Sequence, residues 1–429
     1  MKVLLIAANT EQINMPVMPL GLACVAEAAT QAGHTTAMID LMVLQGTGAA
    51  IKDAITEFRP DCIAVSVRNI DDQEMESPRF LLDDVRTIIN TCKSLSSAPI
   101  VVGGAGYSIF PESALAYLGA DMGIAGEGEA AFTELLCRLE QQRDLSGIPG
   151  LVLPGRGLTQ PAAHAATLDD WPLPRLEFLS LSASRSDFPW IPVQTRRGCP
   201  LRCSYCSTSS IEGVASRRRA PEYVADWLQA WVRAGFREFF FVDNTFNFPP
   251  SYAKHLCRSI LERKLQIHWR AIIYPKQVDR DLVKLMADAG CTHISLGFES
   301  GAPVVLKGMN KKFTPDEVRA VSGRFADCGI ERMGFLLLGG PEETRETVEA
   351  SLDFADSLRL ELLEITVGIR IYPDTPLAAR ARAEGLLAPD DDLLRPRFYL
   401  AEDIKDWITP RVTKWARAHG IAYPEQRPV

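Results

Sequence analysis

Three cysteines stand close together in Arg197-Gly198-Cys199-Pro200-Leu201-Arg202-Cys203-Ser204-Tyr205-Cys206, a C-x3-C-x2-C spacing. Three thiolates from one short loop can hold three irons of a [4Fe–4S] cluster and leave the fourth iron without a protein ligand. An open coordination position is what a reactive metal centre needs. A structural zinc site would ask for a fourth Cys or His close by, and the next histidine is His255; a disulfide would leave one cysteine over. The expected reading is an open-site cluster on Cys199, Cys203 and Cys206. The other seven cysteines (Cys24, Cys62, Cys92, Cys137, Cys257, Cys291 and Cys328) are scattered among apolar residues and read as small core side chains.

With Tyr205 as its aromatic residue, this segment resembles the radical S-adenosylmethionine (SAM) signature C-x3-C-x-aromatic-C. The resemblance extends over roughly 191–400. Phe241-Val242-Asp243-Asn244-Thr245-Phe246-Asn247, Gly297-Phe298-Glu299-Ser300-Gly301 with Val305-Leu306-Lys307-Gly308-Met309-Asn310-Lys311, Gly339-Gly340-Pro341-Glu342-Glu343-Thr344 and Tyr372-Pro373-Asp374-Thr375-Pro376-Leu377 are similar to that family's later segments. It implies that SAM chelates the open iron and is cleaved to a 5′-deoxyadenosyl radical, with the electron from an external flavodoxin- or ferredoxin-like donor. It also implies SAM contacts from Tyr205, Asn244, Glu299, Ser300, Gly339 and Gly340, with Glu299 facing the SAM ammonium. Glu342 stands where the family's G-x-P-G-E-T loop has Gly, which puts the backbone path of that loop in question. Each loop taken singly also fits ordinary turn chemistry, and Asp243 and Asn244 would serve equally as helix caps.

In front of this half, Met18-Pro19-Leu20-Gly21-Leu22, Ala32-Gly33-His34-Thr35, Ile39-Asp40, Val101-Val102-Gly103-Gly104-Ala105 and Gly126-Glu127-Gly128-Glu129 resemble the cobalamin-dependent branch of the same superfamily, over roughly 1–140. Gly103, Gly104 and Gly106 follow a fourth strand, not a first, so they are no dinucleotide fingerprint; they serve a close ligand approach or a tight turn. None of the six histidines lies in a D-x-H-x-x-G motif. Any cobalamin should therefore lack a histidine on its lower face. The expected cobalamin contacts are Ser66, Val67, Arg68, Gly103, Gly104, Ala105, Gly126, Glu127, Gly128 and Glu129, with Ser66–Asn69 under the corrin and Arg68 near cobalt. Guanidinium is a poor ligand. The alternative for Arg68 is an ion pair with Asp71 or Asp72.

The activity this resemblance implies is methylation of an unactivated carbon of a small-molecule or natural-product intermediate, by way of the deoxyadenosyl radical and methylcobalamin. The alternative keeps the cofactors and performs a cyclisation, ring rearrangement or oxidation. A non-catalytic corrinoid- or SAM-binding regulator would leave an open-site cluster idle. A tRNA methylthiotransferase would add a second three-cysteine set and an RNA-binding tail, and neither is visible.

These loops need strands to carry them. Val3–Ala8, Ala37–Leu41, Cys62–Val67, Ile100–Gly103 and Met122–Ala125 read as buried strands alternating with amphipathic helices, which predicts an α/β, doubly wound, Rossmann-like parallel sheet. Ile191–Arg196, Glu238–Val242, Ile267–Tyr274, His293–Phe298, Met333–Leu338 and Leu363–Ile371 repeat the alternation six times, which predicts a partial (βα)6 barrel with its chemistry at the carboxyl ends. The expected domains are 1–146 (cobalamin-binding), 147–190 (a Pro/Gly-rich linker), 191–400 (radical SAM barrel) and 401–429 (a short helical tail).

The chain has 429 residues, 47% of them hydrophobic, and a net charge of −8. No global positive field exists to attract nucleic acid. The apolar start, Met1–Ala8, is too short for a secretory signal, and no run is long enough for a membrane span. Ten cysteines without a signal suggest reduced thiols in the cytoplasm.

Overall fold

The computed structural model describes residues 1–11, 18–44, 46–179, 190–421 and 423. Part of the expected linker (180–189) and of the tail (422 and 424–429) lies outside the described residues.

The first sheet contains β1 (Lys2–Ala7), β2 (Thr35–Asp40), β3 (Cys62–Ser66), β4 (Ile100–Gly103), β5 (Met122–Ile124), β6 (Leu151–Leu153) and β7 (Gly157–Leu158), in the order β2-β1-β3-β4-β5-β6-β7. The first five strands are parallel and the last two run antiparallel. Both faces are covered. Leu4, Ile6, Ile63 and Val65 enter one core and Val3, Leu5, Cys62 and Ala64 the other, which is why these strands are continuously apolar instead of alternating. Chain order reverses between β1 and β3, the switch point where such sheets bind ligands beyond their carboxyl ends.

The expected linker is partly a correction. Its first stretch folds as the β6–β7 hairpin on the edge of this sheet. The turn between the two strands is Pro154-Gly155-Arg156, and Gly155 takes φ +71°, so a glycine that interrupts the periodicity is the hairpin's own turn chemistry.

The second sheet contains β8 (Ile191–Val193), β11 (Glu238–Phe241), β12 (His268–Ile273), β13 (Cys291–Glu299), β14 (Glu331–Leu338) and β15 (Leu362–Val367), all parallel and in the order β15-β14-β13-β12-β11-β8. Sequential neighbours pair, as in a partial barrel, and amphipathic helices such as Pro221–Arg233, Pro315–Asp327 and Arg345–Leu358 cover the outside.

Two expected strands are interrupted. After β8 the chain turns at Gln194–Thr195, because the buried Asp243 carboxylate accepts from Thr195 N at 2.7 Å and Arg196 N at 3.1 Å. It resumes as β9 (Arg196–Arg197), paired with β10 (Arg217–Arg218). After β15, Gly368 adopts φ +82° and Met75 Sδ lies 2.3 Å from where a Cβ would sit. The chain then resumes as β16 (Ile369–Arg370), paired with β17 (Phe398–Tyr399). The tail helix Ile408–Ala418 buries Ile408, Val412 and Trp415 in the barrel core. Among the described residues no helix is long and apolar enough to cross a membrane.

Buried ion pairs join the halves. Arg197 grips Glu129 with both terminal nitrogens, at 3.1 and 2.5 Å, and Arg370 Nε meets Asp71 at 2.8 Å.

Candidate functional site

The three cysteines lie in the loop that leaves β9. Gly198 opens it with φ +85°, and a Cβ there would sit 2.0 Å from Ala215 O, so only glycine fits. The loop is tied from several sides. Cys199 N donates to Gly213 O (3.1 Å), Ser204 N to Met309 O (3.1 Å), Asn310 Nδ2 to Arg202 O (2.6 Å) and Leu377 N to Ser204 O (2.9 Å). The Gly-Met-Asn and Thr-Pro-Leu segments thus serve as clamps on the cysteine loop.

All three thiols are free and half-buried. Burial pushes the Cys199 and Cys203 thiols up, and the neighbouring Cys206 adds to the rise in both. Among the described residues no three His, Cys, Asp or Glu side chains converge closely enough for one ion. Three thiols carried on one short loop suit a polynuclear cage. Loading it must release protons, since the ligands are thiolates. The scattered cysteines need one correction: five are buried, but Cys137 is half-buried and Cys328 exposed.

Tyr205 and Glu299 do come together. Tyr205 OH donates to Glu299 Oε1 at 3.0 Å, and Lys311 Nζ meets the same oxygen at 3.0 Å. Although burial works against its charge, Glu299, Tyr205 and Cys203 hold the Lys311 ammonium well above the ordinary lysine range. The Glu299 carboxylate, expected to face the SAM ammonium, is paired here with a buried lysine. Ser300 is also committed, bonded to Ser351 Oγ at 2.9 Å and to Ala302 N at 3.1 Å. The Gly339 and Gly340 amides both donate to Glu343 Oε2, at 2.7 and 3.1 Å. Glu342, in the usual glycine position, takes φ +66°, so the loop keeps a glycine-like path with a glutamate in it.

Asn244 stands apart from these five. It faces the cavity and donates through Nδ2 to Glu212 Oε2 at 2.9 Å. Neither Asp243 nor Asn244 caps the next helix, whose N-cap is Pro249.

A cavity of about 700 Å³ opens over the carboxyl ends of the first sheet and continues into the barrel interior. Ser66, Arg68, Gly103, Gly104 and Ala105 line its front side. Val67 does not line it; its carbonyl accepts from Gly106 N at 3.1 Å. A Cβ on Gly104 would strike Val67 O at 2.6 Å, so this glycine answers the chain's own packing.

Arg68 bonds Asn69 Oδ1 at 3.1 Å and makes no ion pair with Asp71 or Asp72; Asp71 belongs to Arg370. Its side chain lines the cavity, and desolvation by the surrounding protein lowers the guanidinium pKa. A roomy cavity, small residues on its rim and an arginine aimed into it fit a large corrinoid on these strand ends.

Gly126, Glu127, Gly128 and Glu129 also border the cavity, but both carboxylates are spent on holding the halves together. Glu129 is held by Arg197, and Glu127 accepts from Arg217 Nη1 and from Ala165 N (3.0 Å). The sequence reading missed three residues of this centre. Lys311 carried a signal, as the closing lysine of its segment; Arg197 and Glu212 carried none.

The comparisons agree with this geometry. The model of the radical SAM superfamily matches residues 193–355 and that of the B12 binding domain residues 7–136. An uncharacterized methyltransferase of Pyrococcus horikoshii is 29% identical over 399 residues, 90% of this chain and 84% of the relative. The tryptophan 2-C-methyltransferase of Streptomyces laurentii is 25% identical over 443 residues, 86% of this chain and 73% of the relative. The fold matches that of the radical SAM methyltransferase TsrM from Kitasatospora setae, solved with tryptophan substrate and a SAM analogue, at TM-score 0.87 and 22% identity, covering 100% of this chain and 92% of that one. The cobalamin-dependent radical SAM enzyme OxsB matches at TM-score 0.78 and 18% identity, covering 98% and 67%. With a B12-binding domain joined to a radical SAM barrel over one shared cavity, the chain has the domain pairing and the fold of the cobalamin-dependent radical SAM enzymes.

Proposed function

We propose that this protein methylates an unactivated carbon of a small-molecule substrate, drawing the methyl group from SAM through cobalamin. The observation that carries this reading is the single cavity. It runs from Ser66, Arg68 and Gly104, past Glu212 and Asn244 beside the cysteine loop, to Phe240 and Ile272 in the barrel. A methyl donor on the first set of residues and a radical source beside the second would share one space.

The bound cofactors supply one-electron chemistry and a transferable methyl group. The chain's own residues do the rest. Cys199, Cys203 and Cys206 hold the cluster, and Arg68 offers cobalt no donor nitrogen. Phe240, Val242 and Ile272 give an apolar lining that keeps water from a reactive centre. The electron comes from an external flavodoxin- or ferredoxin-like donor. Methyltransferase relatives support methyl transfer; the shared cavity alone fits a cyclisation as well.

The test is anaerobic reconstitution with iron, sulfide and hydroxocobalamin, then incubation with methyl-labelled SAM, reductant and a small-molecule extract. Methyl transfer requires 5′-deoxyadenosine and a labelled product heavier by about 14 Da per turnover. A product formed with 5′-deoxyadenosine but no label overturns methylation and leaves a radical rearrangement.

A further inference from the structure

The cysteine loop has two sides. One adjoins the cavity, which Glu212 and Asn244 line. The other is at the surface: Pro200 and Arg202, one and three residues beyond Cys199, are exposed. A protein that donates an electron can approach the loop only from this second side, because a cavity of about 700 Å³ is far too small to admit it.

The outer side is basic. Asn310 Nδ2 donates to Arg202 O at 2.6 Å, Lys312 Nζ to Asn310 Oδ1 at 2.5 Å, and Lys276 Nζ to Lys312 O. These bonds gather three cations beside the loop, with Arg202 and Lys312 exposed and the Lys276 side chain 38% exposed. Next to Cys199, whose N donates to Gly213 O, the chain exposes Val214, at 44%, and then Arg218. Among the described residues no carboxylate forms an ion pair with Arg202, Lys312 or Arg218. Lys276 also lines a surface groove whose carboxylates, Glu317 and Asp279, are themselves met, by Lys276 at 3.9 Å and by Lys254 at 2.8 Å. None of the four cations lines the cavity, so a protein seated on them leaves the cavity to substrate.

This concentration of positive charge runs against a chain whose net charge is −8. At physiological salt a field is screened beyond about 8 Å, so a visitor to this face meets the local cations and not the net charge. Nucleic acid fits less well, because the exposed Pro200 and Val214 offer apolar contact that suits a protein. Exposed charges beside a small apolar spot speed encounter without making a lasting complex.

We infer that the outer side of the cysteine loop, with Arg202, Lys276, Lys312 and Arg218, is the docking surface for an acidic one-electron donor protein. This rests on the reading of the cysteine loop as a [4Fe–4S] site and gives the external donor a place on this chain. One electron passes from the donor's reduced centre to the oxidised cluster, and the donor leaves oxidised by one electron. No bond forms or breaks at this surface and no proton moves there. The cations act on the approach and orientation of the donor, not on the chemistry in the cavity.

The experiment follows the visible absorbance of the iron-loaded full chain in stopped flow as it is reduced. The reductants are photoreduced deazaflavin, which is small and uncharged, and a pre-reduced flavodoxin or ferredoxin of net negative charge. Lys312→Glu and Arg218→Glu should keep the iron content and the deazaflavin rate of wild type. Each should slow reduction by subsaturating donor protein roughly three- to tenfold, and added salt should shrink the difference. Lys52→Glu, exposed on the front-domain helix Thr47–Phe58, changes the net charge by the same amount and should keep the wild-type rate with every reductant. If a reversed variant loses iron, Lys312→Gln and Arg218→Gln, which remove charge without inverting it, must show the same selective slowing. Donor rates within about twofold of wild type in the double variant overturn the inference. Equal slowing by Lys52→Glu, or equal slowing with deazaflavin, also overturns it. Wild type that deazaflavin reduces but neither protein does overturns the docking surface and leaves the cluster reading standing. Wild type that deazaflavin itself cannot reduce brings down the cluster reading, and the inference with it.

Discussion

Arg197 grips Glu129 across 68 residues of sequence, with Nη1 at 3.1 Å from one carboxylate oxygen and Nη2 at 2.5 Å from the other. Arg197 stands two residues before the first cluster cysteine, and Glu129 opens the helix that follows the last parallel strand of the front sheet. Both side chains are buried. Removing one member strands the other charge away from water, at a cost of about 3–5 kcal/mol. Glu129→Gln should therefore lower thermal stability markedly, while Glu129→Gln with Arg197→Met should recover part of the loss. Calorimetry of the three variants checks this; a double variant no better than the single one would remove the pair's coupling.

Substituting Cys199, Cys203 or Cys206 by Ser should abolish bound iron and all reductive SAM cleavage. Cys137→Ser and Cys328→Ser, at a half-buried and an exposed thiol, should leave iron content and turnover unchanged. Iron counts after anaerobic reconstitution separate the two groups.

Much of this was legible beforehand, for identifiable reasons. Strands buried on both faces, such as β1 and β3, are continuously apolar, and helices between them keep their period, so the two sheets could be read directly. The cysteine loop was legible because its three ligands are local. The pairing of Glu299 with Lys311 was not legible, because the lysine arrives on another segment and meets the carboxylate only in the fold. Glu127 and Glu129 are alike in this: they line the cavity, but their pairing with Arg217 and Arg197 exists only in the fold. Part of the expected linker folds as a hairpin because Gly155, which breaks the periodicity, is also what the tight turn between β6 and β7 requires.

Arg68 projects into the cavity with Asn69 as its hydrogen-bond partner and no carboxylate paired to it. Reconstituted protein in the cob(II)alamin state should then show no strong nitrogen hyperfine coupling from a protein ligand. Arg68→His offers an imidazole on the same segment and should introduce one. A nitrogen signal in wild type would displace Arg68 from this position.

Glu342 takes a left-handed φ of +66° in a loop where the family has Gly. Its side chain pairs with Arg380 at 2.7 Å, but that pair is exposed and Arg380 also holds Glu384 at 2.7 Å. An exposed pair contributes about 0–1 kcal/mol, whereas left-handed backbone in a residue with a Cβ costs about 1–2 kcal/mol. Glu342→Gly should leave stability unchanged or raise it by up to about 1 kcal/mol, read from denaturant midpoints.

Glu343, the next residue, carries a pH dependence whose sign the geometry fixes. Burial raises its carboxyl to about 7, against the two amide donors of Gly339 and Gly340, and its Oε1 is buried without a hydrogen bond in the structure. The unfolded chain holds this proton only below a pKa of about 4.3. Between about pH 4.3 and pH 7 the folded state thus binds more protons than the unfolded one, and the contribution of this group falls as pH rises. The whole effect is about 4 kcal/mol at most. Glu343→Gln keeps an oxygen for the Gly339 and Gly340 amides and cannot titrate. The stability difference between Glu343→Gln and wild type should shift in favour of the variant from pH 4.5 to pH 7.5. A difference that stays constant over that window would mean that Glu343 is already ionised in the fold, with the two amides outweighing its burial.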